Sequence, residues 1–305
     1  MKASICMATY NGEKFIIDTI NSIKSQTFSD FECVIVDDHS TDNTTNIVSD
    51  ICKEDKRFKL FVNITNPDFP YSDSHNMSYR LGQGELLFRF DQDDIMHPDF
   101  LEKMIKYMDE NKDVTAASCF IHRTEFNNET NSWEVNDIVN SYDREYIDLF
   151  SQYPDFYFWK AACQGLWQIW NNNASVIRKE FLENNKDVKF VYPSSGDYGF
   201  WLNVIRKNGK LRINEEFLVD YKNYDESTWH DKSNAYNNLN DPIAQYYVAY
   251  LRYKCFLRYP KSLVIDGASI ENIQQIFLNT VRYFRDKLKD SNKWNEIEDY
   301  YKYEC

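Results

Sequence analysis

Apolar positions in the first hundred residues come in two alternating kinds. Residues 3–9 (ASICMAT), 31–36 (FECVIV), 58–63 (FKLFVN) and 85–90 (ELLFRF) are short, nearly continuous apolar runs bounded by polar turns, which predicts buried strands. Between them, Phe15, Ile16, Ile20 and Ile23 recur at helical spacing after the Tyr10-Asn11-Gly12 turn, a helical segment runs from about Thr44 to Cys52, and residues 73–82 (DSHNMSYRLG) read as a short helix with a glycine stop. Strands alternating with helices predict an α/β fold with a mostly parallel sheet and right-handed crossovers. Further along, DFLEKMIKYMDENK from residue 99 predicts a helix leading to a strand-like VTAASCF, and ASVIRKEFLENN at 174–185 a strand turning into a helix. Asp197 stands at the head of another helix ending near Gly209, and residues 241–303 are expected to be mostly helical. Residues 123–160 carry no assignable pattern.

Ligands of parallel sheets bind beyond the carboxyl ends of the strands. Three of those ends carry polar motifs here: Thr9-Tyr10-Asn11, Asp37-Asp38 and Asp91-Gln92-Asp93-Asp94. The last drives a hydrophobic strand into three carboxylates, which repel one another and resist burial unless a cation or hydrogen-bond donors satisfy them. Two plainer readings stand beside this one: a solvated loop, or Asp94 as the N-cap of a helix starting near Pro98. Convergence of three separate motifs on one crevice favours a binding site over both.

Composition narrows the partners. A net charge of −13, from 35 basic and 48 acidic side chains, argues against nucleic acid. Seven scattered cysteines with no CxxC pair suggest neither a disulfide framework nor a zinc site, and fit a reducing cytosol. The amino-terminal segment is too short in apolar residues for a signal peptide, and no stretch approaches a membrane-spanning length, so a cytoplasmic chain, free or peripheral at the inner face of the membrane, is expected.

Four stretches together resemble family 2 glycosyltransferases of the bacterial polysaccharide kind, inverting enzymes of the GT-A fold. They are ICMATYNGEKFI, SIKSQTFSDFECVIVDDHSTDNT, GELLFRFDQDDIMHPDFL and SSGDYGFW, in matching order over about residues 1–222. The resemblance implies a GT-A catalytic domain over 1–224 and a C-terminal helical extension over 225–305. It also implies a nucleotide-sugar donor, commonly a UDP-sugar, and a saccharide or lipid-linked acceptor. A divalent ion, Mn2+ or Mg2+, would stabilise the departing diphosphate. Asp93 would be its direct ligand, with Asp91 assisting or meeting the ribose. Asp94 would hold the loop or reach the ligand, and Gln92 would reach the ribose. Thr9, Tyr10 and Asn11 would pack around the base, and Asp38 would accept the uracil imide proton. Asp37 would fix its loop, and Ser40-Thr41-Asp42 would cap a helix. Asp197 would be the general base, or a helix cap, or both.

Departures from the family pattern bear on this assignment. Gly196 replaces the glutamate usually paired with the base. His75 stands where an arginine often precedes Asn76, which is placed among the donor contacts. The pattern Y-R-x-H becomes Tyr221-Lys222-Asn223-Tyr224, with His230 and Trp229 a few residues on. Trp167 and Trp170 could stack on an acceptor sugar or fill the core. The segment 242–265, basic and aromatic, could contact an anionic membrane, pack on the catalytic domain or make a homo-oligomer. A phosphatase would need a different neighbour after its D-x-D, and a pyrophosphorylase a glycine-rich loop after the first strand. A non-catalytic sugar-nucleotide binder or scaffold stays open.

Overall fold

A computed structural model describes residues 1–63, 70–127, 129–130, 132–137, 170–190, 196–223, 246, 249–250, 253 and 270–290. The chain forms two compact units. The first comprises Met1–Arg144, Gln168–Asp187 and Lys210–Ser227; the second comprises Glu145–Trp167, Val188–Gly209 and Thr228–Cys305.

The first unit is built on a sheet of nine described strands. Its first half is parallel: β3 (Phe58–Val62), β2 (Phe31–Asp37), β1 (Ala3–Thr9) and β4 (Leu86–Arg89) lie side by side in that order. Every residue of β1, β2 and β4 is buried, which is why these strands read as unbroken apolar runs. Helices α1 (Ile16–Lys24), α2 (Thr44–Glu54) and α3 (Pro70–Leu81) form the crossovers. Because β2 and β4 flank β1 on opposite sides, the chain reverses its winding direction beside β1. A crevice opens at such a switch point, beyond the carboxyl ends of the strands.

The other half is mixed. Strand β8 (Ser175–Arg178) runs antiparallel between β4 and β6 (Ala116–Asn127), while β9 (Leu211–Asn223) runs parallel to β6. The short β5 (Ile95–Met96) and β7 (Ser132–Asp137) add antiparallel to β9 and β6 respectively. The expected strand-then-helix at 174–185 is present as β8 followed by α5 (Lys179–Asn184). The amphipathic helix α4 (Phe100–Glu110) buries Phe100, Leu101, Met104, Ile105 and Met108. At about 1.5–3 kcal/mol for each fully buried large apolar side chain, this face outweighs the helix's intrinsic propensity.

Opposite the crevice, the amino ends of the strands are locked by a buried carboxylate. Glu32, 1% exposed, accepts hydrogen bonds from Ser4 Oγ (2.7 Å) and the Gln83 amide (2.6 Å) and pairs with Lys59 (2.6 Å). Burial alone would raise its pKa, but these partners together hold it below the usual glutamate value. Ser4 Oγ in turn accepts from Gly84 N at 2.7 Å. A Cβ at residue 84 would lie 2.5 Å from the Ala3 carbonyl carbon, so only glycine lets β4 enter this close to β1.

In the second unit, α6 (Gly196–Arg206) buries Phe200, Trp201, Val204 and Ile205, and Phe190 stacks on Phe200 with centroids 4.4 Å apart. Its end refines the expected glycine stop. Asn208 takes the left-handed conformation (φ 68°), while the Gly209 amide reaches back to Val204 O at 2.8 Å and Asn208 N to Ile205 O at 3.0 Å. Helix α7 (Ile270–Asp290) buries Val281 and Leu288. Of the basic aromatic segment, Tyr246, Ala249, Tyr250 and Tyr253 are buried; Arg252, Lys254, Arg258 and Lys261 lie outside the described residues. Among the described residues, no helix is long and apolar enough to cross a membrane.

Candidate active site

The crevice is assembled from the ends of β1, β2 and β4. After β1 the backbone turns through Asn11, held at φ 47°, and its side-chain oxygen accepts the Thr41 amide at 2.8 Å. Asn11 N donates to Ser40 Oγ at 3.0 Å, so the turns after β1 and β2 are stitched to each other. Asp37 fixes the β2 turn, as expected, by accepting the Ser40 amide at 3.0 Å. Asp42 Oδ1 accepts the Thr44 amide at 3.0 Å from just ahead of α2, whose cap position is held by Asn43 without a side-chain cap bond, so none of Ser40, Thr41 and Asp42 is the cap residue itself.

Asp38 lies beside this turn with 5% of its surface exposed. Its Oδ1 accepts from Asn63 Nδ2 (3.1 Å) and Ser74 Oγ (2.9 Å), and His39 Nδ1 stands 3.6 Å away. Among the described residues, no hydrogen bond reaches Oδ2. Burial raises the Asp38 pKa, and the two donors and His39 counter the rise only in part. Asn76 lies on α3, half-buried, next to a fully buried His75.

The acidic loop beyond β4 is joined to β1 by Gln92. Its Oε1 accepts from Tyr10 N at 3.1 Å and from the Thr9 hydroxyl, its Nε2 donates to Tyr10 O at 2.9 Å, and its backbone carbonyl accepts from Thr19 Oγ1 at 2.8 Å. Gly12 makes room for this clasp, since a Cβ there would lie 2.2 Å from Gln92 Oε1. Thr9, Tyr10 and Gln92, three expected donor contacts, are thus one hydrogen-bonded unit.

The three acids of the loop have different surroundings. Asp94 is completely buried and accepts the Lys222 amide at 3.1 Å and Asn173 Nδ2, tying the loop to β9 and to the turn before β8. It is not a helix cap: β5 intervenes, and Asp99 occupies the cap position of α4 without a side-chain cap bond. Asp91 Oδ1 pairs with Arg89 Nη2 at 3.2 Å, and Arg89 is itself 1% exposed inside β4. Asp93 has no ion pair or side-chain hydrogen bond from any described residue. Its pKa is pushed up to about 7, first by burial and then by the neighbouring Asp91 charge.

Sequence reasoning missed Arg89, Asn173 and Lys222. Arg89 carried a signal, because a cation in the middle of an apolar strand must find a partner. Lys222 sits 7% exposed with Nζ 3.3 Å from Asp18 and 5.2 Å above the Trp133 ring. Buried His75 faces Arg89 at 3.5 Å, and burial and that charge hold its pKa well below the ordinary value. Trp170 is 5% exposed and so belongs to the core of its unit, whereas Trp167, Trp229 and His230 fall outside the described residues. Asp197, half-buried, occupies the first turn of α6 in the second unit.

An α/β sheet with an acidic loop and two polar strand ends gathered at its switch point is the architecture of the GT-A fold. Residues 4–168 match the profile of glycosyl transferase family 2, and the chain belongs to that family. It is a glycosyltransferase of the GT-A fold. An uncharacterized glycosyltransferase of Haemophilus influenzae is 31% identical over 255 residues, covering 79% of this chain and 70% of its own. One from Methanocaldococcus jannaschii is 28% identical over 222 residues, covering 72% and 70%. Among solved structures, S. aureus TarS 1–349 in complex with UDP-GlcNAc superimposes with a TM-score of 0.62 at 20% identity, covering 96% of this chain and 78% of that one. The mannosyltransferase PcManGT of Pyrobaculum calidifontis, in complex with GDP-Man and Mn2+, gives a TM-score of 0.53 at 15% identity, covering 95% and 75%.

Proposed function

We propose that the chain transfers a sugar, with inversion, from a UDP-sugar to a hydroxyl of a saccharide or lipid-linked acceptor. The observation that carries this reading is the Asp93 carboxylate. It is crowded by Asp91, makes no direct ion pair with a described residue, and is tied through Gln92 to the turn that would hold the base. Such a group needs a positive charge brought by a ligand.

Asp93 and Asp91 suit Mn2+ or Mg2+, because hard carboxylate oxygens are the donors such ions take. When bound, the ion supplies Lewis-acid neutralisation of the departing diphosphate. The remaining roles belong to the chain. Oδ2 of Asp38 accepts the imide N–H of uracil and disfavours a base that presents an acceptor there. Thr9, Tyr10 and Asn11 frame the base, while Gln92 holds their turn at a fixed distance from Asp91 and the ribose. Asn76 contributes from α3. Asp197, in the first turn of α6, takes the proton of the attacking hydroxyl. The UDP-GlcNAc in TarS supports a UDP-sugar as the first donor to try, and the Mn2+ in PcManGT supports the ion.

The test is nucleoside diphosphate release from a panel of UDP- and GDP-sugars, with and without Mn2+, with donor binding measured in parallel. Metal-dependent turnover with a UDP-sugar is the expected result; no turnover and no binding with any donor would overturn the proposal. Asp197→Asn should reduce transfer by about 10²–10⁴-fold while donor binding persists. Lost donor affinity would instead place Asp197 in the donor site.

A further inference from the structure

On the β6–β9 ladder, the rings of His97 and His122 converge on one carboxylate. His97 Nε2 lies 2.8 Å and His122 Nδ1 3.1 Å from the same oxygen, Oδ1 of Asp220. Among the described residues, this is the one group of three or more histidine, cysteine or acidic side chains whose ligand atoms all lie within 4.8 Å of one another. Three elements supply it. His122 on β6 and Asp220 on β9 are register partners, and His97 follows directly after β5, its amide bonded to Leu218 O at 2.9 Å. The His122 ring stacks on Phe217 at 4.8 Å and 11°, and His97 packs against His122 at 5.5 Å. Backbone pairing and ring stacking therefore fix all three side chains before any ligand arrives.

We infer that His97, His122 and Asp220 form a second metal site, for a borderline divalent transition-metal ion and zinc in particular, distinct from the acidic loop. Two imidazoles and one carboxylate, with a position left for water, are a donor set that zinc takes readily, whereas Mn2+ and Mg2+ favour the all-oxygen loop. With bonds of 2.0–2.1 Å, tetrahedral ligand atoms lie roughly 3.3 Å apart, so the two oxygen–nitrogen separations already stand close to coordination distance. Side-chain exposures of 25–32% leave the cluster open to ions from solution. Neither the sugar nor the nucleotide enters this argument, and the two proposals stand or fall separately.

Zinc and cobalt titrations of the full chain, against a chromophoric chelator, test the site. His122→Phe keeps the stack on Phe217 and removes a ligand; Asp220→Asn and His97→Gln remove the others while changing little volume. Wild-type protein should hold one zinc equivalent that each of these variants loses, or binds more than about tenfold more weakly, a loss that outer-shell partners alone can reach. Asp93→Asn should keep that equivalent. The cobalt form should show a four- or five-coordinate visible spectrum without a thiolate charge-transfer band. Zinc binding unchanged in all three variants, or zinc lost in Asp93→Asn alone, overturns the inference and leaves the cluster as a hydrogen-bonded His–Asp–His ladder.

Discussion

The loop beyond β4 and the ladder between β6 and β9 both gather charged side chains, and they balance them in opposite ways. In the loop, acids exceed local cations, and Asp93 is pushed up to about 7 by burial and by Asp91. On the ladder, Asp220 faces two imidazoles: burial opposes its ionisation, yet their hydrogen bonds and charge hold its pKa below the usual value, while the bond to Asp220 raises that of His97. In the first region the acids outnumber the cations Arg89 and Lys222 that act on them. In the second, each charged group has a partner within hydrogen-bond distance on the facing strands.

Four substitutions probe that contrast, and the largest effect should come from the acidic loop. Asp93→Asn is expected to lower transfer on the order of 10²–10³-fold, the scale of removing one group that stabilises developing charge, without lowering the urea midpoint. Activity retained in this variant would mean that Asp93 is no such group. Next is Asp94→Ala, which strands two buried donors, the Lys222 amide and Asn173 Nδ2. It should reduce unfolding free energy by about 2–3 kcal/mol in urea titration, whether or not donor is present. Gly12→Ala pushes a methyl group into Gln92 and should weaken nucleotide binding by about tenfold in calorimetry, with little change in melting temperature.

The smallest effect concerns pH on the ladder, measured in chelator-treated buffer. His97 has a folded pKa above its ordinary 6.5, so the stability it brings is complete below that value and is lost as pH rises through the folded one. Asp220 is lowered from 3.8, so its contribution is present above that value and is lost as pH falls through the folded one. The pair therefore stabilises most between those limits. Asp220→Asn should flatten the decline in melting temperature above about pH 6.5, an effect of roughly a few tenths of a kcal/mol for partly exposed groups. An unchanged slope would remove Asp220 as the partner of His97.

Legibility in the sequence divided along the same line. The parallel half was readable because its strands are buried on both faces, follow one another through short crossovers and end in recognisable polar turns. Strand β9 was not, because Glu215 and Glu216 interrupt its apolar pattern. They are extruded where the register jumps from Cys119 opposite Asn214 to Phe120 opposite Phe217. Strand β5 is two residues long, too short for any periodicity. In the site, residue types at strand ends could be named, and the loop-fixing duty of Asp37 with them, but the distant partners of the other side chains could not. The distinction between Asp93 and Asp94 depends on Asn173 and Lys222, which lie 79 and 128 residues from Asp94. Gln92 likewise becomes a clasp only through partners more than 80 residues away.

The buried Glu32 knot, with Gly84 pressed against β1, also bears on what evolution or design can change. At that rim the main chains are nearly in van der Waals contact and every oxygen of the knot is committed, so a larger residue at 84 or an amide at 32 would disturb three strands together. The opposite rim consists of turns whose side chains meet through hydrogen bonds, and these can be exchanged one at a time. Changes can therefore be made at the tips of the sheet while its base is left untouched.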